Sequence, residues 1–170
     1  MEFSPITSAA DHRVQEIYAS YINTFPIDEQ RSKELFLTLF SNARAKVMSV
    51  LHESQPVGYL ILWELSSFVF VEHFEVFEAF RSKKLGSHIM GHLLESYPNI
   101  ILEIEPANLN ENAERRYSFY QRNSFSLIDS TYVQPSYGEG KKSLPLWLLA
   151  NYSPENVEEI KNEIYNIVYP

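Results

Sequence analysis

Hydrophobic positions recur at helical spacing in some parts of the chain and at strand spacing in others. Apolar residues three and four positions apart predict helices near 9–24, around 35–40, at 85–97, at 112–123 and from Ser153 onward. Apolar runs of strand length predict strands at Lys46–His52, Val57–Glu64, Phe68–Phe77, Ile100–Glu105, Phe125–Gln134 and Leu144–Ala150. The predicted order is ααβββαβαββα, with room for a further short strand at the N-terminus.

This order predicts an α+β fold, an α/β three-layer sandwich with helices on both faces of one mostly antiparallel sheet. A strand–helix–strand unit lies in its middle. The sequence has 170 residues and neither an internal repeat nor a low-complexity linker. That length suits one domain with a substantial core, so we expect a single domain over residues 1–170.

Composition excludes several classes of protein. The chain has no cysteine, which excludes a disulfide framework, a thiol nucleophile and a thiolate zinc site. Its formal charge of −8 argues against general nucleic-acid binding and favours cationic partners such as amines. No signal peptide and no apolar run near ~18 residues is visible, which predicts a cytoplasmic location and no membrane. His88 and His92 lack a third ligand, so we predict no metal site.

A basic loop precedes the predicted helix that begins near residue 85. The segment Arg81–Ser87 follows the strand Phe68–Phe77 and carries Arg81, Lys83 and Lys84 in an otherwise acidic chain. The first turn of a helix has unpaired N–H groups and a positive dipole end, and small residues let an anion approach them. The loop is therefore a candidate site for a di- or triphosphate. The alternative is a solvated basic helix start.

Two motifs in the chain resemble those of the GNAT N-acetyltransferases. The acetyl-CoA motif of that family is Arg or Gln, two residues, Gly, one residue, then Gly or Ala. Arg81 and Gly86 fit its two ends, and Lys84 stands in place of the first Gly. Downstream, Tyr120–Phe125 repeats the spacing of a second motif, with Ser124 in place of its Gly. The resemblance implies a GNAT-like mixed sheet with a central β-α-β unit that binds acyl-CoA.

The resemblance also implies which residues contact the cofactor. The basic loop would hold the pyrophosphate of acetyl-CoA. A bulge in the preceding strand would open backbone groups to the pantetheine arm and the acetyl carbonyl. The implied contacts are Phe74, Glu75, Val76, Arg81, Ser82, Lys83, Lys84, Leu85, Gly86, Ser87 and Asn112.

Acetyl transfer to an amine needs a base for the amine and an acid for the leaving thiolate. Alternation along the Phe-rich strand predicts Glu72 on one face with Phe74, and His73 on the other. Desolvation among apolar neighbours would raise the pKa of Glu72 toward a useful range. Because the family often has a base on this strand, Glu72 is the leading candidate. Glu103 is the alternative base, and by resemblance Tyr120 is the acid.

The resemblance implies direct attack by a primary amine of a small molecule or peptide in a ternary complex with acetyl-CoA. Glu29 lies where the family walls the acceptor site, so it is a candidate amine contact, with capping or solvation as the alternative role. Candidates for the opposite wall are Tyr132, Gln134 and Tyr137. Two other functions stay open, a non-catalytic CoA-binding regulatory domain and an interaction module for another anion. A homodimer is a further expectation.

Overall fold

A computed structural model describes all 170 residues and contains nine strands and five α-helices. The strands are β1 (Glu2–Ile6), β2 (Ala45–His52), β3 (Gln55–Glu64), β4 (Val69–Val76), β5 (Ile100–Ile104), β6 (Ser126–Asp129), β7 (Val133–Gln134), β8 (Leu144–Pro145) and β9 (Trp147–Ala150). The helices are α1 (Arg13–Thr24), α2 (Lys33–Thr38), α3 (Leu85–Ser96), α4 (Glu111–Arg122) and α5 (Val157–Ile167). None of these helices combines the length and the apolar character needed to cross a bilayer.

Seven strands form one sheet in the order β1-β2-β3-β4-β5-β9-β6, and β7 pairs with β8 outside it. Every neighbouring pair is antiparallel except β4 and β5, which α3 connects. Parallel neighbours need such a crossover, and the helix of this one packs on the sheet. The predicted mixed, mostly antiparallel sheet with a central β-α-β unit is confirmed.

The core lies on both faces of the sheet, which gives the three predicted layers. Alternate residues of β3 divide between the faces: Tyr59, Ile61 and Trp63 enter one cluster, and Leu60 and Leu62 enter the other. The first cluster includes side chains of α1, α2 and α5, while the second includes side chains of α3 and α4. The helices therefore cover opposite faces, and the ends of the central strands remain available for a site.

A bulge in β4 changes the faces that simple alternation predicts. Ile61 pairs with His73, whereas the next residue of β3 pairs with Val71, so Glu72 is an extra residue on β4. Glu72 and His73 consequently lie on the same side of the sheet, toward α1, while Phe74 turns to the α3 side. The prediction that Glu72 shares a face with Phe74 is wrong, because alternation holds only where two strands pair one to one.

Other departures lie at element boundaries. The single strand predicted at Phe125–Gln134 is broken after Asp129, whose carboxylate accepts a hydrogen bond from the Thr131 N–H at 2.7 Å in a local turn. Helix α5 begins later than the sequence suggests, because Asn156 rather than Ser153 caps it. The N-terminal strand that the sequence left open is present as β1 and pairs with β2.

Candidate active site

A cleft opens where the two central parallel strands separate. β4 and β5 pair only as far as Val71 and Leu102. Beyond that point the strands diverge around a cleft of about 490 Å³, which side chains of α1 and α4 also line. The charged residues among its lining are five carboxylates and two guanidinium groups, namely Glu29, Glu72, Glu75, Glu103, Glu105, Arg81 and Arg116. The cleft is thus acidic and favours a cationic occupant.

A second depression, of about 620 Å³, lies at the start of α3. It shares Phe74, Val76 and Arg81 with the cleft, so the two depressions adjoin each other at these residues. We call this second depression the α3 groove. Its lining residues are Phe74, Val76, Phe80, Arg81, Ser82, Lys84, Leu85, Gly86, Ser87, His88, Phe119 and Arg122.

The α3 groove has the features of an anion site. No side chain caps the N-terminus of α3, so the N–H groups of Leu85 and Gly86 stay available to a ligand, while the Ser87 N–H donates to the Lys84 carbonyl. The groove is lined by three basic residues, Arg81, Lys84 and Arg122, so its charge is positive where that of the cleft is negative. Lys83 lies nearby, with its Nζ 5.2 Å from the centroid of the Phe80 ring. The helix start is therefore open and basic.

The backbone keeps the conformations that the family motifs require, although two of their glycines are replaced. Lys84 has φ 61° and Ser124 has φ 71°, both in the left-handed region that normally favours glycine. Each non-glycine residue there costs about 1–2 kcal/mol. Gly86 is retained, and a Cβ atom at this position would lie 3.3 Å from the Phe119 ring. Close packing of α3 against α4 accounts for that glycine.

Glu72 is fully enclosed by partners on the α1 side of the sheet. Its Oε1 accepts hydrogen bonds from Arg31 Nε at 2.8 Å and from Tyr137 Oη at 2.6 Å, and its Oε2 accepts from Trp63 Nε1 at 2.7 Å. The Arg31 guanidinium also stacks 5.2 Å from the centroids of the Trp63 and Tyr137 rings. Both carboxylate oxygens of Glu72 therefore accept hydrogen bonds, and the positive charge of Arg31 compensates the negative charge of Glu72.

Burial alone would raise the pKa of Glu72, but the Arg31 charge, His73 and the hydrogen bonds hold it below its ordinary value. The sequence instead predicts a raised pKa for Glu72, because it does not reveal Arg31 as a partner of this carboxylate. A carboxylate with a lowered pKa and two occupied oxygens is a poor proton acceptor. The geometry therefore weighs against Glu72 as the base.

Glu103 lies across the cleft on β5 and has a different environment. Its Oε1 accepts a hydrogen bond from Tyr169 Oη at 2.5 Å, and its buried Oε2 has no hydrogen-bond partner. Burial raises the pKa of Glu103 to about 8, against the opposing effect of the hydroxyls of Tyr169 and Tyr132. A carboxyl group with one free oxygen and a pKa near the working pH suits a general base.

Tyr120 reaches the cleft from α4. Its side chain is packed against Phe119 and Phe125, and only 8% of the residue is exposed. Burial raises the pKa of Tyr120 to about 12, with a smaller opposing effect of Arg116. The phenol therefore stays protonated at neutral pH and can donate a proton into the cleft.

The acceptor side of the cleft contains Glu29 but not the two predicted tyrosines. Glu29 is half-buried, and burial together with the nearby Glu105 charge raises its pKa to about 7. Arg116 forms an ion pair with Glu105 at the same edge. Tyr132 and Tyr137 do not line the cleft and instead belong to the core, with 0% and 1% of their surfaces exposed.

Gln134, the third residue predicted for this wall, lines the cleft together with Leu146. The amide of Gln134 donates to the Asp28 carbonyl at 3.1 Å. This bond ties the β7 segment to the turn before α2. Of the three residues predicted for the wall, Gln134 alone therefore lines the cleft.

The residues predicted for cofactor contact line the groove or the cleft, with two exceptions, Lys83 and Asn112. Phe74, Glu75 and Val76 line the cleft, and the loop residues other than Lys83 line the groove. Asn112 is exposed on the first turn of α4 and lines neither, while Asn110 caps that helix by accepting from the Ala113 N–H. The expected role of Asn112 therefore has no geometric support.

Two residues of α4 line the groove without having been predicted from the sequence. Phe119 and Arg122 are three residues apart and lie on the helix face toward α3. Their helical spacing around Tyr120 was the available signal, because residues one helical turn apart share a face.

Comparison with known proteins assigns the fold and its groove to a family. The model of the GNAT acetyltransferase family matches residues 12–125 of the chain. The chain belongs to the GNAT acetyltransferases. The matched region contains the separated strands, α3 and the Tyr120–Phe125 motif, so both motifs noted in the sequence lie within it.

Two relatives show how far this similarity extends. YjbC of Bacillus subtilis (strain 168), provisionally named an acetyltransferase, is 25% identical over 158 residues, covering 89% of this chain and 80% of YjbC. A provisionally named GNAT acetyltransferase from Bacteroides thetaiotaomicron superposes with a TM-score of 0.93 at 29% identity. That alignment covers 99% of this chain and 98% of the other.

A third structure is more distant and shares the fold. It is a GNAT family acetyltransferase from Elizabethkingia anophelis with acetyl-CoA bound, and it superposes with a TM-score of 0.60 at 15% identity. The alignment covers 88% of this chain and 95% of that one.

Proposed function

We propose that this GNAT protein is an acetyl-CoA-dependent N-acetyltransferase that acts on a primary amine of a small molecule or peptide. The observation that carries the proposal is that the basic α3 groove adjoins the acidic cleft. An anionic donor and a cationic acceptor would each find the complementary charge, and they would meet between the separated strands.

The α3 groove fits acetyl-CoA. The two free first-turn N–H groups of α3 and the cations Arg81, Lys84 and Arg122 suit a diphosphate. Phe74 and Val76, which line both depressions, offer apolar surface for the arm that leads to the thioester. The structure from E. anophelis with acetyl-CoA bound supports this donor. When bound, acetyl-CoA supplies the activated acetyl group.

The edge of β4 that lies beyond its pairing with β5 would bind the acetyl carbonyl. β5 leaves β4 after Val71, so backbone groups on that edge from Glu72 to Val76 have no strand partner. Backbone N–H groups are strong hydrogen-bond donors, and they stabilise charge that develops on a carbonyl oxygen. The Glu72 bulge fixes the position of this edge.

The acceptor side supplies the attraction for an amine. Glu29 and Glu105 lie at this edge of the cleft, and each carboxylate raises the local concentration of cations. Arg116 compensates only part of this charge, since it pairs with Glu105. An ammonium group would occupy the remaining negative site beside Glu29, and its binding would lower the raised pKa of Glu29.

Glu103 and Tyr120 would move the two protons. The amine nitrogen loses a proton to Oε2 of Glu103, directly or through water, and attacks the acetyl carbon. The carbon–sulfur bond then breaks, and Tyr120 gives its proton to the sulfur. The nitrogen passes its second proton to the Tyr120 phenolate, which leaves the neutral amide, and exchange with solvent removes the proton from Glu103. In this proposal Glu72 holds the bulge and does not exchange protons.

A turnover assay over a panel of amines tests the proposal. Purified protein is incubated with acetyl-CoA and single amines, and the release of free thiol is followed. Tyr120→Phe and Glu103→Gln should each lower kcat by about 10²–10⁴-fold. Calorimetry should show that both variants keep the wild-type affinity for acetyl-CoA.

Glu155→Gln provides a matched control, because Glu155 is exposed in the loop before α5 and lines neither the cleft nor the α3 groove. It should retain the wild-type rate. Full activity in Tyr120→Phe and Glu103→Gln would refute the assigned roles. Binding of CoA without turnover on any amine would instead favour a non-catalytic CoA-binding domain.

A further inference from the structure

The segment that follows α5 is built into the candidate site. Val168 and Tyr169 are buried, with 2% and 6% of their surfaces exposed. The Val168 carbonyl accepts a hydrogen bond from Arg31 Nη2 at 2.6 Å, and this guanidinium also pairs with Glu72. The backbone at residue 168 is thus fixed to the wall of the cleft by a buried cation.

This attachment directs the Tyr169 side chain to Glu103. The Tyr169 hydroxyl donates to Glu103 Oε1 at 2.5 Å, and its ring packs 5.1 Å from the Tyr137 ring. Tyr137 in turn donates to Glu72. The ring contact holds the phenol in place, so the hydrogen bond to Glu103 has a defined direction. Oε2 of Glu103 stays without a partner.

We propose that Tyr169 is a positioning residue, whose hydroxyl holds one oxygen of Glu103 so that the other oxygen takes the proton of the acceptor amine. This inference rests on the proposed function, because it assumes that Glu103 is the base. No observation on the sequence alone singles out Tyr169, which lies 66 residues from Glu103.

The hydrogen bond also sets the pH at which Glu103 can act. The groups facing Glu103 are Tyr169 after α5, Tyr132 before β7, Glu72 on β4 and Glu29 before α2. The two hydroxyls lower the pKa of Glu103, whereas the two carboxylates raise it. Removing the Tyr169 hydroxyl therefore favours the protonated form, which cannot accept a proton.

Tyr169→Phe tests the inference in the full-length chain. The ring contact is kept, and only the hydroxyl is lost. The acid limb of the pH profile of kcat/KM for the amine should move to higher pH by about one unit. At pH 7 this shift lowers kcat/KM about tenfold. The profiles should converge above the limb, and the KM for acetyl-CoA should not change. Tyr152→Phe, a hydroxyl deletion outside the cleft, should leave the profile unchanged.

A ¹³C NMR titration of the Glu103 carboxyl group gives a readout that needs no turnover. Its midpoint should rise in Tyr169→Phe, and an unchanged midpoint would overturn the inference. A loss of rate by the same factor at every pH would also overturn it, because a purely structural role predicts that result.

The assay distinguishes this inference from the proposed function. If Glu103→Gln abolishes turnover while Tyr169→Phe has the wild-type pH profile, the role of Tyr169 is wrong and the proposed function stands. If Glu103→Gln keeps full turnover, Glu103 is not the base and the inference falls with that assignment.

Discussion

Glu72 and Glu103 lie on the two strands that border the cleft, and these two carboxyl groups have opposite properties. Glu72 on β4 accepts hydrogen bonds from a guanidinium, an indole and a phenol, and its pKa is lowered. Glu103 on β5 accepts from one phenol, and its pKa is raised to about 8. Burial favours the protonated form in both cases. The difference therefore arises from the partners.

This contrast separates a carboxylate that maintains structure from one that is available for chemistry. Arg31 compensates the charge of Glu72, so ionised Glu72 is stable inside the protein. Glu103 has no cation partner. Its ionised form is therefore unfavourable, and the carboxyl group loses its proton only at higher pH. In the proposed mechanism the β4 side therefore keeps the shape of the wall, and the β5 side holds the base.

The largest expected effect comes from removing the charge of each carboxyl group. At pH 7, Glu72→Gln should lower the free energy of unfolding by about 3–5 kcal/mol, because it leaves the buried Arg31 guanidinium without a counter-ion. Glu103→Gln should instead raise it by about 3 kcal/mol, because glutamine resembles the protonated carboxyl group of the folded state and cannot ionise in the unfolded chain. Urea titration of both variants measures these values.

The two substitutions are chemically identical and lie on neighbouring strands, so each serves as the control for the other. Similar losses of stability in both variants would contradict the difference that we draw between the β4 side and the β5 side.

The pH dependence of stability should show the unfavourable ionisation of Glu103. Its pKa is about 8 when folded and near 4.5 when unfolded, so the folded state holds an extra proton between these values. The free energy of unfolding therefore falls as pH rises through this window. Between pH 6.5 and 8 we expect a loss of about 1–2 kcal/mol in the wild type that Glu103→Gln abolishes.

The chosen window avoids a second buried group. Burial lowers the pKa of His73 to about 4, so His73 makes stability rise with pH between about 4 and 6.5. Glu29, with a pKa of about 7, acts in the same direction as Glu103 up to that pH. Urea titrations of the wild type, Glu103→Gln and Glu29→Gln at three pH values separate these contributions. An identical slope in the wild type and Glu103→Gln would contradict a raised pKa at Glu103.

Much of this architecture could be predicted from local patterns. Hydrophobic periodicity gives the element order, and the small basic loop at Arg81–Ser87 identifies the start of α3. The positions Lys84 and Ser124 show that a family motif can keep its backbone conformation without its glycines. These features depend on neighbours within a few residues, which a sequence shows directly.

The properties of the two carboxyl groups could not be predicted in this way. The bulge at Glu72 depends on how β3 pairs with β4, and one extra residue reverses every face beyond it. Arg31 is 41 residues from Glu72, and Tyr169 is 66 residues from Glu103. A pKa that depends on such distant partners can be derived only after the chain is folded.

The smallest expected effect distinguishes the phenols beside the two carboxyl groups. Tyr137→Phe should lower the free energy of unfolding by about 1–2 kcal/mol, because it removes a hydrogen bond of 2.6 Å to an ionised Glu72. Tyr132→Phe should change it by less than about 0.5 kcal/mol, because the buried Tyr132 hydroxyl makes no hydrogen bond. Both rings are fully buried, so their packing is conserved in either variant and only the hydroxyl differs.

Thermal or urea unfolding at pH 7 measures the two changes. A loss at Tyr132 equal to that at Tyr137 would mean that the β5 side also depends on a hydroxyl contact, and the distinction between the two sides of the cleft would no longer hold.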